Sequence, residues 1–553
     1  MSSTSGIGVE TRHLPGQAAE AGSRSARDIG RTLGVAGSKL ATVMARQEAW
    51  FVVGAAIVWL LARSWYALRP LWFDELFTFY LSRLPRLDQL FRALPADGNP
   101  PLYYLLARVS MHIFGESELA LRLPALVGFL GAALAVYWYI RRWRAAIFAF
   151  LGMLLLLSGP MASYGSEARS YSLMLGFTGL ALVSWQAAAA RNRSRALPLL
   201  GVAAGIAGAV ASHHYGAVQV AVALVFGESV RIFEQRRLDI PLYCAAAAGL
   251  SMLVFTLPLV AAARHVMLDY VKQSPVFWAR PTLRAIFSYR SMLPLWFVPA
   301  LLLLWLSTRV VDPPRETPAT REACRIPAHE IAAAVGLALM VPIVIGLTSL
   351  TTGYYMDRYA IGAAMGIAIL AGQLVPAIGR RSGQAGAVSA LCVILLAADI
   401  AFHPVLASAF HGTAWRHAAS ATPDSLLSRA PGTDPIVIAS ALEYSQDWWY
   451  APTPLRTRIH YLSDPAFAVR EPDFLPEVSL AADQQYLPSK VDRFQEFVAS
   501  HRHFLVYAVG MPRLEWTVPR LTAASWSLEP IGREGDFTLY RALAPAGTAS
   551  TRR

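Results

Sequence analysis

Charged residues are scarce in this sequence. They make up 15 % of its 553 residues, whereas an average soluble domain has about 25 %. Hydrophobic residues account for 55 %, and the mean hydropathy is +0.40. This composition argues against a soluble protein of this length and indicates a chain that lies mostly within a membrane.

The sequence also has few cysteines, and its basic residues are not concentrated on one surface. The three cysteines, Cys244, Cys324 and Cys392, lie in or between hydrophobic runs and form no CxxC pair, so neither a disulfide framework nor a zinc site is indicated. The net charge is +13, but the arginines are scattered through short segments between apolar runs. Nucleic acid is therefore not expected as a partner.

Long apolar runs dominate what remains. Residues 1–47 are rich in Gly, Ser, Ala and Arg without apolar periodicity, which predicts a disordered cytoplasmic tail. Residues 48–403 predict a multispan α-helical membrane domain with about eleven transmembrane helices. The runs cover approximately residues 50–68, 119–140, 145–162, 171–190, 197–214, 216–230, 241–263, 291–308, 329–350, 359–378 and 385–403.

The arginines predict how these helices are oriented. Basic clusters occupy every second connector, as the positive-inside rule requires of cytoplasmic loops. The N-terminus is therefore predicted to be cytoplasmic, and the remaining connectors to be outside the cytoplasm. The clusters are Arg24 to Arg46, Arg141 to Arg144, Arg191 to Arg195, Arg231 to Arg237, Arg309 to Arg325, and Arg380 with Arg381.

One outer segment, residues 70–120, interrupts the apolar pattern, and we call it the platform. It begins with the adjacent acids Asp74 and Glu75, directly after the first span. An ionised carboxylate at the bilayer centre costs roughly 2.5 to 3.5 kcal/mol, so the pair is expected at or beyond the water interface. The pattern then predicts an amphipathic helix around residues 87–94, a turn, and an outer-surface helix over Leu102–Phe114.

The other predicted outer connectors carry polar and aromatic residues instead of arginine clusters. Each group alone fits an interfacial ion pair, an interface histidine or an aromatic belt. Because all of these groups are predicted on the same side of the membrane, together they favour a functional site. The residues are Tyr164, Glu167, Arg169, Tyr171, His213, His214, Tyr215, Asp357 and Arg358, with Lys272 and Arg280 in the connector 264–290.

The composition changes again in residues 404–553. Short β-like runs begin near residues 435, 458, 503 and 536, separated by helix-like and Pro-containing segments. They predict a compact α/β domain with its own core. An odd number of spans from a cytoplasmic start places this domain outside the cytoplasm.

Several short motifs follow one another in a fixed order between residues 50 and about 380. They are the Asp-Glu pair after the first span, GNPPLYYLL, GESELALRLPAL, YGSEARSYSL, HHY and DRY. In order and spacing they resemble the protein O-mannosyltransferase and aminoarabinose transferase family, glycosyltransferase family 39. The resemblance implies the GT-C fold and the transfer of one sugar, with inversion, from a polyprenyl-phosphate donor to a hydroxyl acceptor at the outer face of the plasma membrane. The C-terminal domain does not resemble the repeat domain of the eukaryotic enzymes, so the acceptor stays open. The sequence does not name the sugar either.

The chemistry of such a transfer assigns roles to the two acids. The acceptor hydroxyl needs a general base, and such a base contributes about 10² to 10⁴ in rate. Asp74 is the carboxylate best placed for this role, and the resemblance also favours it. Glu75 is predicted to orient Asp74 or to hold the acceptor.

The leaving phosphate needs positive charge more than a general acid, and arginine provides it bidentately. Arg122, Arg169 and Arg358 are predicted to hold the donor phosphate, and the resemblance favours Arg122. Lys272 and Arg280 are the alternatives, in a connector that is either an interfacial anchor or a lid over the donor. The residues predicted to contact substrate are Asn99, Tyr103, Tyr164, Glu167, Tyr171, His213, His214, Tyr215 and Asp357.

Two alternatives stay open at this stage. A divalent metal could be held by Glu75, Glu116 and Glu118 with His213 or His214, although none of these has metal-ligand spacing on one helix. A multispan transporter or flippase would also have many spans. Such a protein should carry charges near the midplane, broken helices and an internal repeat, and the sequence shows none of these patterns.

Overall fold

The computed structural model describes most of the chain between residues 42 and 545. The described ranges are 42–190, 194–274, 279–294, 326–378, 392–402, 424–470, 475–487, 490–510 and 515–545, with residues 39, 277, 297–299 and 302. Most of the predicted tail and most of the apolar run 291–308 lie outside these residues.

Many helices of the membrane domain follow the predicted apolar runs, but the run 329–350, predicted as one span, is broken into Ala328–Ala338 and Met340–Leu350 with a bend of 52°. Within the described residues, five helical segments are long and apolar enough to cross a membrane, or up to seven if each of two bent pairs is one span. The protein is therefore a multi-pass membrane protein, while the predicted count of about eleven spans stays a prediction. The helices are α1 (Glu48–Ala67), α2 (Phe73–Arg83), α3 (Leu87–Asp97), α4 (Leu102–Phe114), α5 (Glu118–Arg141), α6 (Ala146–Ser158), α7 (Tyr171–Ala189), α8 (Ala196–Ser212), α9 (Tyr215–Gln235), α10 (Ile240–Leu250), α11 (Leu253–Gln273), α12 (Ala328–Ala338), α13 (Met340–Leu350), α14 (Gly362–Ile378) and α15 (Cys392–Phe402).

Small residues bring α5 and α7 close together. A Cβ added at Gly176 would lie 2.4 Å from the carbonyl oxygen of Gly128, and one added at Gly128 would lie 2.6 Å from the Cα of Leu173. Both distances are too short for any side chain. The two backbones therefore touch directly, as is typical of membrane helices, where close packing drives association.

A bend after α6 leads the chain towards the platform. The run 145–162 was predicted as one span, but α6 ends at Ser158, and a 3₁₀ helix over Pro160–Ser166 continues at an angle of 70°. Pro160 cannot donate an amide hydrogen bond to the preceding turn, which explains why the α-helix stops there. Because of the bend, the segment after Pro160 leaves the direction of α6 and reaches α2, where the amide of Ala168 donates to Glu75.

The platform contains the predicted surface helices and one helix more. α3 ends at Gly98 in the left-handed conformation (φ 77°), and α4 follows the two prolines of the turn. The segment around Asp74 and Glu75 is not extended: both acids lie in the first turn of α2. This position suits carboxylates, because the amide groups at a helix N-terminus carry partial positive charge.

The C-terminal region forms the predicted α/β domain around a six-stranded sheet in the order β3-β2-β1-β4-β6-β5. β1 to β4 are parallel, whereas β6 pairs antiparallel with β4 and with β5. The four predicted strands correspond to β1, β2, β4 and β6. The elements are β1 (Ile436–Ile438), α16 (Ala441–Tyr450), α17 (Thr453–Arg456), β2 (Ile459–Ser463), α18 (Pro465–Ala468), α19 (Leu475–Asp483), β3 (Val491–Arg493), α20 (Phe494–Ser500), β4 (His503–Ala508), α21 (Thr517–Ala523), β5 (Ser527–Glu534) and β6 (Phe537–Leu543).

Helix α2 belongs to two hydrophobic cores at once. Phe73 and Phe77 are buried in the core of the C-terminal domain, against residues of its sheet and of α16. Leu76 and Phe79 are buried in a second cluster with residues of α4 and α5. The helix that carries Asp74 is thus fixed between the membrane domain and the C-terminal domain.

Candidate active site

The carboxylate of Asp74 lies between two guanidinium groups. Its Oδ2 is 3.5 Å from Nη2 of Arg169 and 3.8 Å from Nη1 of Arg358, and the Asp74 side chain is 20 % exposed. Arg169 also donates to the backbone carbonyl of Asp74 at 3.4 Å. Three residues predicted from separate outer connectors therefore meet at the N-terminus of α2.

Glu75 points away from this group and is enclosed by Arg122. The two side chains form an ion pair in which both are 0 % exposed. Glu75 Oε1 accepts from Nε of Arg122 at 2.7 Å and from the amide of Ala168 at 2.7 Å, and its Oε2 accepts from the amide of Trp72 at 3.3 Å. Glu75 thus ties α2 to α5 and to the segment before α7.

The structure places Arg122 differently from the sequence prediction. Its guanidinium makes five hydrogen bonds, two to Glu75 and three to the carbonyls of Ala67, Arg69 and Pro70. All of its donors are used, and water does not reach it, so no face is left for a phosphate. Arg122 holds the chain between α1 and α2 and is not part of a donor cradle.

Arg358 is oriented by its surroundings on two sides. Its guanidinium carbon lies 5.5 Å from the centre of the Tyr171 ring, close enough for a cation–π contact. The preceding residue, Asp357, accepts hydrogen bonds from Ser288 at 2.6 Å and Ser291 at 2.9 Å. Asp357 thus anchors the short helix Asp357–Ala360 that presents Arg358, and its contact with substrate stays a prediction.

Aromatic residues form a wall behind Tyr171 and Arg358. Tyr171 lies 4.9 Å from His213, which stacks on His214 at 4.2 Å. Tyr215 stacks on Tyr359 at 4.6 Å. The rings of this wall contact one another and are largely buried, so they fix the position of Tyr171 beside Arg358. The predicted Tyr164 joins the same wall, 5.5 Å from Tyr171.

The two histidines of this wall are uncharged at neutral pH. Burial lowers the pKa of His214 to about 4. Burial also lowers the pKa of His213 well below its ordinary value, and the neighbouring His214 adds to the effect. The positive charge of the site therefore comes from its arginines.

Asn99 and Tyr103 have different surroundings. Asn99 donates to Asp97 at 2.8 Å, and Asp97 also accepts from Tyr104. Asp97 interacts electrostatically with Arg169, so Asn99 lies at the edge of the site.

Tyr103 is 1 % exposed, and its hydroxyl donates to the carbonyl of Leu121 at 3.0 Å. Tyr103 is thus a core residue that joins α4 to α5, contrary to its predicted contact with substrate.

The connector 264–290 differs in part from its prediction. Residues up to Gln273 continue α11, so the loop is shorter than expected. Lys272 is exposed near the end of this helix, and Arg280 donates to the carbonyls of Val271 and Ser274 at 3.2 and 2.7 Å. Arg280 therefore caps α11, while Pro275, Val276 and Trp278 lie outside the described residues. The lid and its donor contacts stay a prediction.

The acids considered for a divalent metal are engaged separately. Glu75 pairs with Arg122, Glu116 with Arg83 at 2.9 Å, and Glu118 accepts from Tyr450 at 2.9 Å. Within the described part of the chain, no group of three His, Cys, Asp or Glu side chains is placed to hold a metal ion.

A second acid of the site, Glu167, pairs with Arg69 at 3.8 Å. Burial raises the pKa of Glu167 from 4.5 to about 7; Arg69 opposes the shift, whereas Glu75 and Asp74 reinforce it. Sequence reasoning missed Arg69, Asp97 and Tyr359. Tyr359 was visible in the DRY motif, and Arg69 as a cation at the same end of α1 as the acid pair.

The raised pKa of Glu167 predicts a pH dependence of stability. The folded protein binds the Glu167 proton more tightly than the unfolded chain does, so this contribution is present at low pH and is lost as the pH rises from about 4.5 to about 7. Glu167→Gln should therefore flatten this part of a plot of Tm against pH. Glu496→Gln, an exposed acid of the C-terminal domain, is the control. A slope that persists in Glu167→Gln would contradict the assignment.

Comparisons with known proteins agree with this fold and with the sequence resemblance. A family model described as dolichyl-phosphate-mannose-protein mannosyltransferase matches residues 98–261, from the platform to α11. This match confirms the resemblance predicted from the motifs. No curated protein sequence matches the chain.

Among solved structures, the chain is similar to ArnT from Cupriavidus metallidurans. The apo structure has a TM-score of 0.50 and 16 % identity over 89 % of this chain and 97 % of ArnT. The structure bound to undecaprenyl phosphate has a TM-score of 0.50 and 16 % identity over 91 % and 99 %. The Archaeoglobus fulgidus oligosaccharyltransferase tethered with an acceptor peptide has a TM-score of 0.41 and 12 % identity over 90 % and 74 %.

Proposed function

We propose that this chain is an inverting glycosyltransferase, which moves one sugar from a polyprenyl-phosphate donor to a hydroxyl acceptor at the outer face of the plasma membrane. The observation that carries the proposal is the Asp74 carboxylate between Arg169 and Arg358, 3.5 and 3.8 Å away. A transfer from a sugar phosphate requires both a proton acceptor and positive charge for the leaving group. Here the two are in direct contact.

A lipid-linked donor suits the place of this site in the molecule. The arginines lie next to the ends of apolar helices: Arg169 precedes α7 by two residues, and Arg358 precedes α14 by four. A prenyl chain can therefore stay in the bilayer while its phosphate reaches both guanidinium groups. The binding of undecaprenyl phosphate by ArnT, which has the same fold, supports this class of donor.

The reaction is a single displacement. The acceptor hydroxyl attacks the anomeric carbon on the side opposite the phosphate, and Asp74 takes the hydroxyl proton. The bond between the anomeric carbon and the phosphate oxygen breaks, and its electron pair leaves with the polyprenyl phosphate. Arg169 and Arg358 stabilise this charge. One displacement inverts the configuration of the sugar.

The ion pairs of Asp74 link donor binding to the release of its carboxylate. Without donor, Asp74 supplies the negative charge next to Arg169 and Arg358. A donor phosphate would take over this role and weaken the hold of both arginines on Asp74. The carboxylate is then free to accept a hydrogen bond from the acceptor hydroxyl.

An assay of membranes that contain the protein tests the proposed function. Labelled polyprenyl-phosphate sugars, including mannose, a pentose and an amino sugar, are supplied together with cell-envelope acceptors. Release of polyprenyl phosphate with equal transfer of label to an acceptor is expected for one of these donors. Movement of the donor across the membrane without its consumption would indicate a flippase and contradict the proposal.

Replacing Arg358 by Lys tests its contact with the donor phosphate. Lys keeps the charge but lacks the planar fork that binds two phosphate oxygens, so the KM for the donor should rise about tenfold or more. Arg169→Lys should behave in the same way. Arg86→Lys, an exposed arginine paired with Asp88 on the platform, is the matched control. Donor KM values equal to those of the control would place the phosphate elsewhere.

The orientation of the chain can be tested separately. The arginine-rich connectors predict a cytoplasmic N-terminus and an outer C-terminal domain. A reporter enzyme that works only outside the cytoplasm should therefore be active when it is fused after Arg553. Activity of a cytoplasm-specific reporter at the same position would overturn the orientation and move the site to the inner face.

A further inference from the structure

Besides the apolar contacts of α2, a tyrosine hydroxyl of the C-terminal domain contacts the chain just before Asp74. Tyr450, the last residue of α16, accepts a hydrogen bond from the amide of Leu71 at 2.8 Å and donates one to Glu118 at 2.9 Å. Leu71 lies three residues before Asp74, and Glu118 lies in the first turn of α5. The hydroxyl therefore joins the C-terminal domain, the platform and the membrane domain at one point.

This bond completes the support of the segment that leads into α2. Arg122 holds three carbonyls of that segment, those of Ala67, Arg69 and Pro70. Tyr450 holds the amide of Leu71, the next residue along the chain. Glu118, which accepts from Tyr450, and Arg122 lie one turn apart on α5. Both contacts therefore attach the segment to the same helix. The segment before α2 is thus held both through three of its carbonyls and through the amide of Leu71.

The end of α16 is itself rigid. Arg456 donates to the carbonyls of Trp448, Trp449 and Ala451 at 3.1, 2.8 and 2.8 Å. The Trp449 ring contacts Phe79 of α2 at 5.1 Å. A hydroxyl on such a scaffold can define the position of a neighbouring backbone, because the helix end that carries it is held in place.

We propose that Tyr450 is a positioning residue for catalysis, through which the C-terminal domain sets the position of the Asp74 carboxylate relative to Arg169 and Arg358. The inference rests on the proposed role of Asp74 as general base. The C-terminal domain is then a required part of the active site. A misplacement of about 1 Å at a catalytic group can cost about 10²-fold in rate, so a bond of this kind should be visible in turnover.

Tyr450→Phe is the test, in the full-length protein in membranes. It removes both hydrogen bonds and keeps the ring. Turnover should fall about 10- to 100-fold, whereas the KM values for donor and acceptor should stay within about twofold. Tyr444→Phe is the matched control, since its hydroxyl lies on the same helix but donates to the carbonyl of Lys490 inside the C-terminal domain. Normal turnover in Tyr450→Phe, or an equal loss in both variants, would overturn the proposal.

Two further measurements separate this inference from the proposed function. If Tyr450 acts through Asp74, then Tyr450→Phe should cause less than a twofold additional loss in an Asp74→Asn background, because the two residues serve one step. Hydrogen exchange needs no activity: the amides of residues 71–78 should exchange faster in Tyr450→Phe but not in Tyr444→Phe. Unchanged exchange in Tyr450→Phe would overturn the inference, even if Asp74 proves to be the base. Faster exchange in Tyr450→Phe together with full turnover in Asp74→Asn would instead point to a failure of the proposed function.

Discussion

Asp74→Asn is expected to lower the turnover of sugar transfer by about 10² or more, while the protein still inserts and folds. Asparagine has almost the same shape as aspartate but cannot take a proton from the acceptor hydroxyl. Donor binding should be kept or strengthened, because Arg169 and Arg358 lose a competing negative charge. The measurement is turnover in membranes at saturating donor, together with the donor KM.

The control for this variant is Asp88→Asn. Asp88 lies on the exposed face of the platform, paired with Arg86 and Arg92, and its replacement should leave turnover within about twofold, since surface ion pairs contribute little. Near-normal turnover in Asp74→Asn would remove Asp74 as the base. Glu75 could not take its place, because Arg122 encloses its carboxylate.

Arg122→Met is expected to have the largest effect on folding. It leaves the Glu75 carboxylate buried without its partner, and removing one member of a buried ion pair costs about 3 to 5 kcal/mol. This cost is a large part of the total stability of most proteins. The yield of monodisperse protein and its Tm in detergent should therefore fall sharply, whatever the donor concentration.

Two comparisons make this prediction specific. Arg141→Met breaks a pair with Glu48 at the other end of α5, which is partly exposed, so its Tm should change much less. Adding Glu75→Gln to Arg122→Met removes the unpaired charge and should recover part of the loss. If Arg122→Met folds normally and only loses donor affinity, Arg122 would be a phosphate ligand after all, as its position in the sequence suggested.

The sequence allowed the composition of the site to be predicted better than its geometry. Asp74, Arg169 and Arg358 could be predicted together because all three flank apolar spans on the side without arginine clusters. The partners of Glu75 could not, since Glu75 and Arg122 are 47 residues apart and nothing in a short motif shows which arginine points inward. The same limit applies to Tyr103, which is polar in type but buried against α5.

The fold likewise contains elements that the sequence pattern predicts and elements that depend on tertiary contacts. The helices of the platform could be predicted from their amphipathic spacing and their Gly and Pro boundaries. β5 could not, because SLEPIGRE contains a proline and three charged residues and becomes a strand only by pairing with β6 at the edge of the sheet. The bend at Pro160 was hidden in a continuous apolar run, in which hydropathy is the same for a straight helix and a broken one.

Because α2 is shared between two cores, the order of synthesis determines when the site can form. Phe73 and Phe77 leave the ribosome roughly 360 residues before Ile436 and the strands against which they are buried, a delay of about 20 to 70 s at the usual rate of about 5 to 20 residues per second. During that time the membrane helices can assemble around Arg122, but α2 has only one of its two supports. If the proposed mechanism holds, a nascent chain would have Arg169 and Arg358 in place before Asp74 is correctly positioned, and turnover would begin only when the C-terminal domain has folded.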